Sequence, residues 1–316
     1  MLKKIATYYH TLKHLRPIQF QYRAYYFFRK KWRKITKFKY VLSVKSQINT
    51  DFKLEDSIPQ HKTWIEGNNF TFLNQNFDFK SKIDWNCATY GKLWVYNLCY
   101  FEYLAQDSLS KDEGVRLIRS FIADLWVAKD AVEPFPTALR IMYWVKFLAK
   151  HQINDAQIND SLLAQAAILS DNLEYHILGN HLAEDGFGLL FAAYYFKNDA
   201  LYKIAKKIVI AELEEEILPD GGHFERSTMY HQHILFRVLD GINLVRNNGF
   251  QQQELLSFLT QQAGIMLGWL EKMTFRNGDI PMVNDAAPHI APSSLDLFDY
   301  AKRLNIPIKS VTLRES

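Results

Sequence analysis

Ile217-Leu-Pro-Asp-Gly-Gly-His-Phe-Glu-Arg-Ser-Thr-Met-Tyr-His-Gln-His233 ends one helical pattern and opens the next. Pro219-Asp-Gly-Gly222 is turn chemistry: Pro and Gly stop a helix, and Asp and Gly suit the backbone angles of a tight turn. A helix-compatible run follows, from about Ser227 to Val245. The segment holds three His, a Tyr, an Arg, an Asp and a Glu. Functional groups collect where a loop is held by rigid elements, and a purely structural loop has little need of so many titratable side chains.

On both sides of this segment the pattern is helical. Apolar residues recur at helical spacing over Leu93–Leu104, Glu113–Val127, Thr137–Leu148, Ser161–Leu178, Leu182–Phe196, Leu201–Ile217, Thr228–Val245 and Gln252–Met273. The breakers are Pro134-Phe-Pro136, Gly179, Lys197-Asn-Asp199, Pro219-Asp-Gly-Gly222, Asn247-Asn-Gly249 and Asn277-Gly278. Short loops between serial helices imply antiparallel neighbours, and helices apolar nearly all round belong to an inner layer. Leu295–Leu304 reads as one further helix. Residues 41–85 are polar and aromatic, with the scattered alternation of short strands or an extended arm, as in Asn69-Phe-Thr-Phe-Leu73.

The chain of 316 residues is long enough for a large core in one or two domains. Its two cysteines, Cys87 and Cys99, form neither a disulfide framework nor a zinc spacing. Charge is unevenly placed. Residues 1–50 carry 13 Lys and Arg and no Asp or Glu, leaving 25 basic against 34 acidic residues in the remainder. Aromatics crowd the same N-terminal stretch: Tyr8, Tyr9, Phe20, Tyr22, Tyr25, Tyr26, Phe27, Phe28 and Trp32. One or two basic helices are expected over residues 1–40. Phe28–Tyr40 suits an anionic membrane face or a polyanion, or a solvated helix packed on the body. Lys13, His14 and Arg16 interrupt any secretory apolar core, and no apolar run reaches the length of a transmembrane helix. A cytoplasmic or inner-membrane-peripheral location is therefore expected. Nucleic acid is not an expected partner: the rest of the chain is net acidic and carries no recognition motif. No cofactor is implied, and the sequence leaves the oligomeric state open.

Three constellations can carry chemistry. In Tyr175-His-Ile-Leu-Gly-Asn-His-Leu-Ala-Glu-Asp185, Gly179 breaks the helix and Asn180 or His181 begins the next. Asn180 reads either as a helix cap or, with His181, as a donor set at a helix start that favours an anion. In the opening segment, Arg226 and Tyr230 share a face if both are helical. Arg226 would then favour the phenolate and make Tyr230 a better base. His223, His231 and His233 match no strong metal spacing. Asp220 and Glu225 allow a paired-carboxylate glycoside hydrolase, although the turn explains Asp220 sterically. Phe275-Arg-Asn-Gly-Asp-Ile-Pro-Met-Val-Asn-Asp285 is an ordinary loop or the lining of a site.

Together and in this order, these segments resemble the heparinase II/III family of polysaccharide lyases. Leu218-Pro-Asp-Gly-Gly-His-Phe-Glu-Arg-Ser-Thr-Met-Tyr-His231 carries most of the likeness. Asn180-His-Leu-Ala-Glu184, Asn277-Gly-Asp-Ile-Pro-Met-Val-Asn-Asp285, Trp94-Val-Tyr-Asn97 and Pro136-Thr-Ala-Leu-Arg-Ile141 support it. The resemblance implies a mainly α fold, an incomplete (α/α) toroid of antiparallel helical hairpins over residues 85–316, preceded by a basic helical and extended arm over 1–84. It implies β-elimination on a uronate-containing acidic polysaccharide, with Tyr230, Asn180, His181 and Arg226 as catalytic residues. Substrate contacts are implied for His223, Glu225, His231, Glu184, Arg140, Tyr96, Asn97 and Asn284. In the family a β-sandwich with a further catalytic His follows the toroid. Because the given sequence stops at Ser316, the expectation is half an active site: a fragment, a split or truncated lyase, or a module that binds glycan without cleaving it. A periplasmic location also follows from the family. The other reading open is a toroid glycoside hydrolase.

Overall fold

The apolar runs fold as helices whose two ends are set by local chemistry. The computed structural model describes residues 15–251, 253–288 and 290–312. Among these, the elements in chain order are α1 (Pro17–Ile35), β1 (Trp64–Glu66), β2 (Asn69–Phe72), β3 (Gln75–Asp78), α2 (Lys92–Tyr100), α3 (Lys111–Asp124), α4 (Pro134–Lys150), α5 (Ala156–Asp171), α6 (Asn180–Phe196), α7 (Asp199–Glu216), α8 (Thr228–Asn247), α9 (Gln253–Met273) and α10 (Ser294–Arg303). The N-terminal basic helix expected from sequence is α1; the part of that expectation on residues 1–14, with Tyr8 and Tyr9, lies outside the described residues. No described helix is long and apolar enough to cross a membrane.

Burial sorts the helices into two layers. In α4, α6 and α8 nearly every residue is buried, as the all-round apolar patterns require. Helix α6 packs against both α4 and α7, and α8 against α9. Small residues let α6 approach closely: a Cβ on Gly188 would stand 2.7 Å from Ala138 Cα, and one on Gly186 would stand 2.8 Å from Ile208 Cγ2. The α6–α7 turn shows how the antiparallel hairpins close. Lys197 takes the left-handed conformation (φ 49°) that ends α6, and Asn198 Oδ1 accepts a hydrogen bond from Leu201 N at 3.0 Å to start α7. The antiparallel hairpins form an incomplete (α/α) toroid, with α10 packed on α8 and α9.

Residues 64–78 form a three-stranded antiparallel meander, β1-β2-β3. Phe70 and Phe72 of β2 reach into the same apolar core as the helices, a core that runs from Ile58 to Ile306. Phe72 meets Trp94 of α2 edge-on, with ring centroids 5.2 Å apart.

Two expected helices end early. The pattern over Ser161–Leu178 predicts helix throughout, yet α5 stops at Asp171. Beyond it, Glu174 N donates to Asp185 Oδ2 (2.8 Å), and Leu178 adopts φ 67°. Tertiary partners claim the backbone there, and helical propensity loses. Leu93–Leu104 likewise breaks at Phe101 (φ 62°), a fully buried ring stacked on Trp85, before a 3₁₀ turn over Glu102–Ala105.

Candidate active site

The opening segment folds as a tight reversal between α7 and α8. Ile217 and His223 form an isolated antiparallel bridge, with Leu218 N donating to Gly222 O and Phe224 N to Glu216 O, both at 2.8 Å. Asp220 Oδ1 accepts from Gly222 N at 3.1 Å, so its carboxylate is used to hold the turn. Both glycines are forced: Gly221 sits at φ 89° with α9 against it, and a Cβ there would meet Ile265 O at 2.4 Å. The reversal is thereby pinned to α9.

Past the turn, Ser227 caps α8, accepting Tyr230 N at 3.2 Å while donating to Asp285 O at 2.7 Å. Thr228 Oγ1 donates to Pro281 O (2.6 Å), and Asn284 Nδ2 donates to the carbonyls of Arg226 (3.0 Å) and Glu225 (3.3 Å). The 281–285 strap thus fixes the start of α8. Asn284 holds this clamp through its Nδ2 and remains exposed.

Tyr230 lies on the first turn of α8, half-buried, with its hydroxyl donating to Asp285 Oδ2 at 2.9 Å. Burial, and then the Asp285 carboxylate, push the Tyr230 hydroxyl up to about 12. This corrects one expectation. Arg226 precedes the helix, exposed at φ 54°, so it does not share a helical face with Tyr230. A carboxylate, not a guanidinium, is the group at the Tyr230 hydroxyl, and it keeps the proton on.

Asn180 is the first residue of α6, behind Gly179 in a backbone conformation (φ 60°, ψ −147°) reserved for glycine. Its Nδ2 makes only a long 3.5 Å contact with Glu225 Oε1, and its Oδ1 is buried without a hydrogen-bond partner. His181 Nδ1 lies 2.9 Å from Glu174 Oε2, and this carboxylate outweighs burial to raise the His181 pKa. Its ring packs on Phe135 (4.8 Å), which continues through Tyr100 (5.8 Å) to Tyr96 (6.0 Å). Tyr96 itself donates its hydroxyl to Glu133, a carboxylate also paired with Lys92 at 2.7 Å. Asn97 donates to Leu93 O in its own helix at 2.8 Å, leaving its carbonyl end unused by that bond.

His223 completes the neighbourhood. Its ring is 6.2 Å from that of Tyr230, and its Nε2 is 3.4 Å from Glu216 Oε2. Burial moves the two groups in opposite senses: the imidazole is pushed down to about 4 and the Glu216 carboxyl up to about 8, with Glu225 and Glu184 adding to the latter. At neutral pH the proton of this pair sits on the carboxyl. Glu212, whose Oε2 accepts Gly179 N at 3.0 Å, is raised to about 7 by burial and by Glu216. His223 Nδ1 and Glu216 Oε1 are buried without partners, as is Asn180 Oδ1. Buried polar atoms are nearly always hydrogen-bonded, so orphans gathered around Asn180 and His223 mark a polar site.

Other expected contacts are structural. Arg140 is wholly buried, donating to Gln165 Oε1 (2.6 Å), Ala131 O (2.8 Å), Cys99 O (3.1 Å) and Thr137 Oγ1 (3.1 Å), and it staples the neck of α4 rather than meeting substrate. Buried His231 donates Nε2–H to Met266 O at 3.1 Å and lies on Trp269, so it joins α8 to α9 and is not a substrate ligand. Glu184 is paired in the core with Arg237. Glu225 stays exposed beside Asn180. Among the described residues no group of three or more His, Cys, Asp or Glu is placed to hold a metal ion. Sequence reading missed Asp285 as the Tyr230 partner, and it missed Glu174, Glu212 and Glu216 behind Asn180, three acids that only their burial distinguishes from solvated ones.

The raised carboxyls predict a pH effect with a definite sign. Folded Glu212 and Glu216 keep protons that the unfolded chain releases above about 4.5, so their ionisation erodes stability as pH climbs to about 8. His223 and His231, depressed from 6.5 to about 4 and about 3, act oppositely: their contribution is full above 6.5 and is lost as pH falls. Maximum stability is expected on the acid side of neutrality. Glu216→Gln is expected to remove about 2–4 kcal/mol of the alkaline loss, measured as a smaller drop in Tm between mildly acid and mildly alkaline buffer. An unchanged or larger drop would contradict the assignment.

The family comparison is specific: the model of the heparinase II/III N-terminus matches residues 2–303, and the chain belongs to that family. Two solved structures of heparan sulfate lyase HepC from Pedobacter heparinus, one of them a mutant, are similar to it. Each is 16% identical; they cover 68% and 69% of this chain, with TM-scores of 0.48 and 0.47. The chain spans 38% of the length of either structure. No curated protein matches it.

Proposed function

We propose that the chain is the helical part of a polysaccharide lyase-like protein that binds a uronate-containing glycan and takes part in β-elimination. The observation that carries this reading is Asn180: a carboxamide at a helix start whose donor, Nδ2, makes only one long contact, at 3.5 Å. Amide and helix N-terminus together offer hydrogen bonds to a carboxylate. Neutralising that carboxylate acidifies the adjacent C5–H, because the carbanion formed there spreads onto the carboxylate oxygens. A general base takes the C5 proton, the C5–H electron pair forms the C4=C5 double bond, and the C4–O4 bond breaks with its pair leaving on O4. Tyr230, which holds its proton at neutral pH, is the group suited to protonate the departing O4. His181, held through Nδ1 by Glu174 at 2.9 Å, is the neighbouring imidazole at the same helix start.

The test is polymer binding by the whole chain, with carboxyl-reduced polymer as control. Asn180→Ala is expected to weaken binding of the uronate polymer about tenfold and to leave the residual binding of the reduced polymer unchanged. Equal affinity for both polymers would exclude carboxylate recognition. Release of unsaturated product, seen near the enone absorbance, separates turnover from binding alone.

A further inference from the structure

Helix α1 presents two unlike faces. One is fastened to the segment that leads into Asn180. Gln19 Nε2 donates to Ile177 O (2.9 Å), Arg29 Nη2 to Asn172 Oδ1 (2.6 Å) and Tyr26 to Leu173 O, while Tyr22 stacks on Tyr175 (4.6 Å). Arg29 and Arg33 also pair with Asp171. The opposite face follows the i, i+4, i+7, i+8 rhythm of a single stripe: Phe20, Ala24, Phe27, Phe28, Trp32 and Ile35, all exposed. Phe28 and Trp32 are 66% and 67% accessible, and Ile35 75%. Single exposed apolar residues are ordinary; a continuous aromatic stripe is not. Exposed Arg23, Lys30, Lys31 and Lys34 flank or punctuate the stripe, and the helix has no acidic residue.

We infer that this outer face of α1 docks in the plane of an anionic lipid bilayer. A protein partner fits less well, because interface cores are depleted of Lys, whereas lysines beside an aromatic stripe snorkel to lipid phosphates. The charge distribution agrees: a basic, acid-free N-terminal stretch sits on an otherwise net acidic chain that an anionic surface would repel. Because the inner face of α1 holds residues 171–177, docking would carry the Asn180 end of the toroid to the membrane surface.

Vesicle flotation of the full chain tests this without reference to glycan chemistry. The chain is expected to float with vesicles containing phosphatidylglycerol and to remain below with phosphatidylcholine alone. Phe28→Glu/Trp32→Glu is expected to lower the partition at least about tenfold with unchanged circular dichroism and Tm, since both side chains are exposed. Lys30→Glu/Lys34→Glu is expected to lower it too, and salt to weaken it. Absence of flotation overturns the inference. So does flotation that survives the aromatic substitutions and is lost to soluble acidic polysaccharide, which would make α1 a polyanion site. Conversion of a dimer to a monomer by Phe28→Glu/Trp32→Glu, without lipid binding, would give the stripe to a second copy and overturn it equally.

Discussion

Tyr230→Phe is expected to lower formation of unsaturated product by about 10²–10⁴-fold while leaving polymer affinity within about threefold. The substitution removes one oxygen and keeps the ring, so packing against His223 at 6.2 Å is retained. What is lost is the proton that the hydroxyl carries beside Asp285. Asp285→Asn provides the internal control. The carboxylate is one of the causes that raise the Tyr230 pKa to about 12; removing its charge is expected to bring that pKa down toward 10 and move the alkaline limb of the turnover profile to lower pH. A protonated Tyr acting as acid predicts falling activity above its pKa; a phenolate acting as base predicts rising activity there. If Tyr230→Phe turns over normally, the elimination does not use this residue. If it abolishes polymer binding instead, Tyr230 is a binding group.

The long, strongly periodic helices could be read from the sequence because they bury apolar faces whatever their neighbours do, and the runs over α4, α6, α7, α8 and α9 map onto the expected spans within a few residues. The end of α5 was hidden, since it depends on Asp185 and on the arginines of α1 that meet Asp171, all remote in sequence. In the site, the turn at Gly221, the helix start at Asn180 and the importance of Tyr230 were legible as local chemistry. The partners were not. A sequence shows that Arg226 is four residues before Tyr230; it does not show that Ser227 caps the helix and leaves Arg226 outside it. Nor does it separate an Arg that meets substrate from Arg140, which satisfies carbonyls in the core.

Arg237 carries the largest expected stability effect. It lies in α8 and donates its Nε–H to the Glu184 carboxylate, 2.8 Å from each oxygen, with Glu102 at 4.0 Å, and both members of the pair are buried. Glu184 is one helical turn after Asn180 on α6, so this contact ties the Asn180 end of α6 to α8. Arg237→Met leaves a buried carboxylate without its partner and is expected to cost about 3–5 kcal/mol, read as a lower denaturant midpoint. Glu184→Gln in the same chain removes the stranded charge, so the double variant is expected to regain a large part of that loss. A buried pair is costly to break and of little net worth; recovery in the double variant is the signature of that asymmetry. Binding should then report what the pair does beyond stability. If it orients α6, the double variant folds but holds the uronate polymer more weakly. If stability and affinity are both restored, the pair serves only the core, and Asn180 is positioned by Gly179 and Glu212 alone.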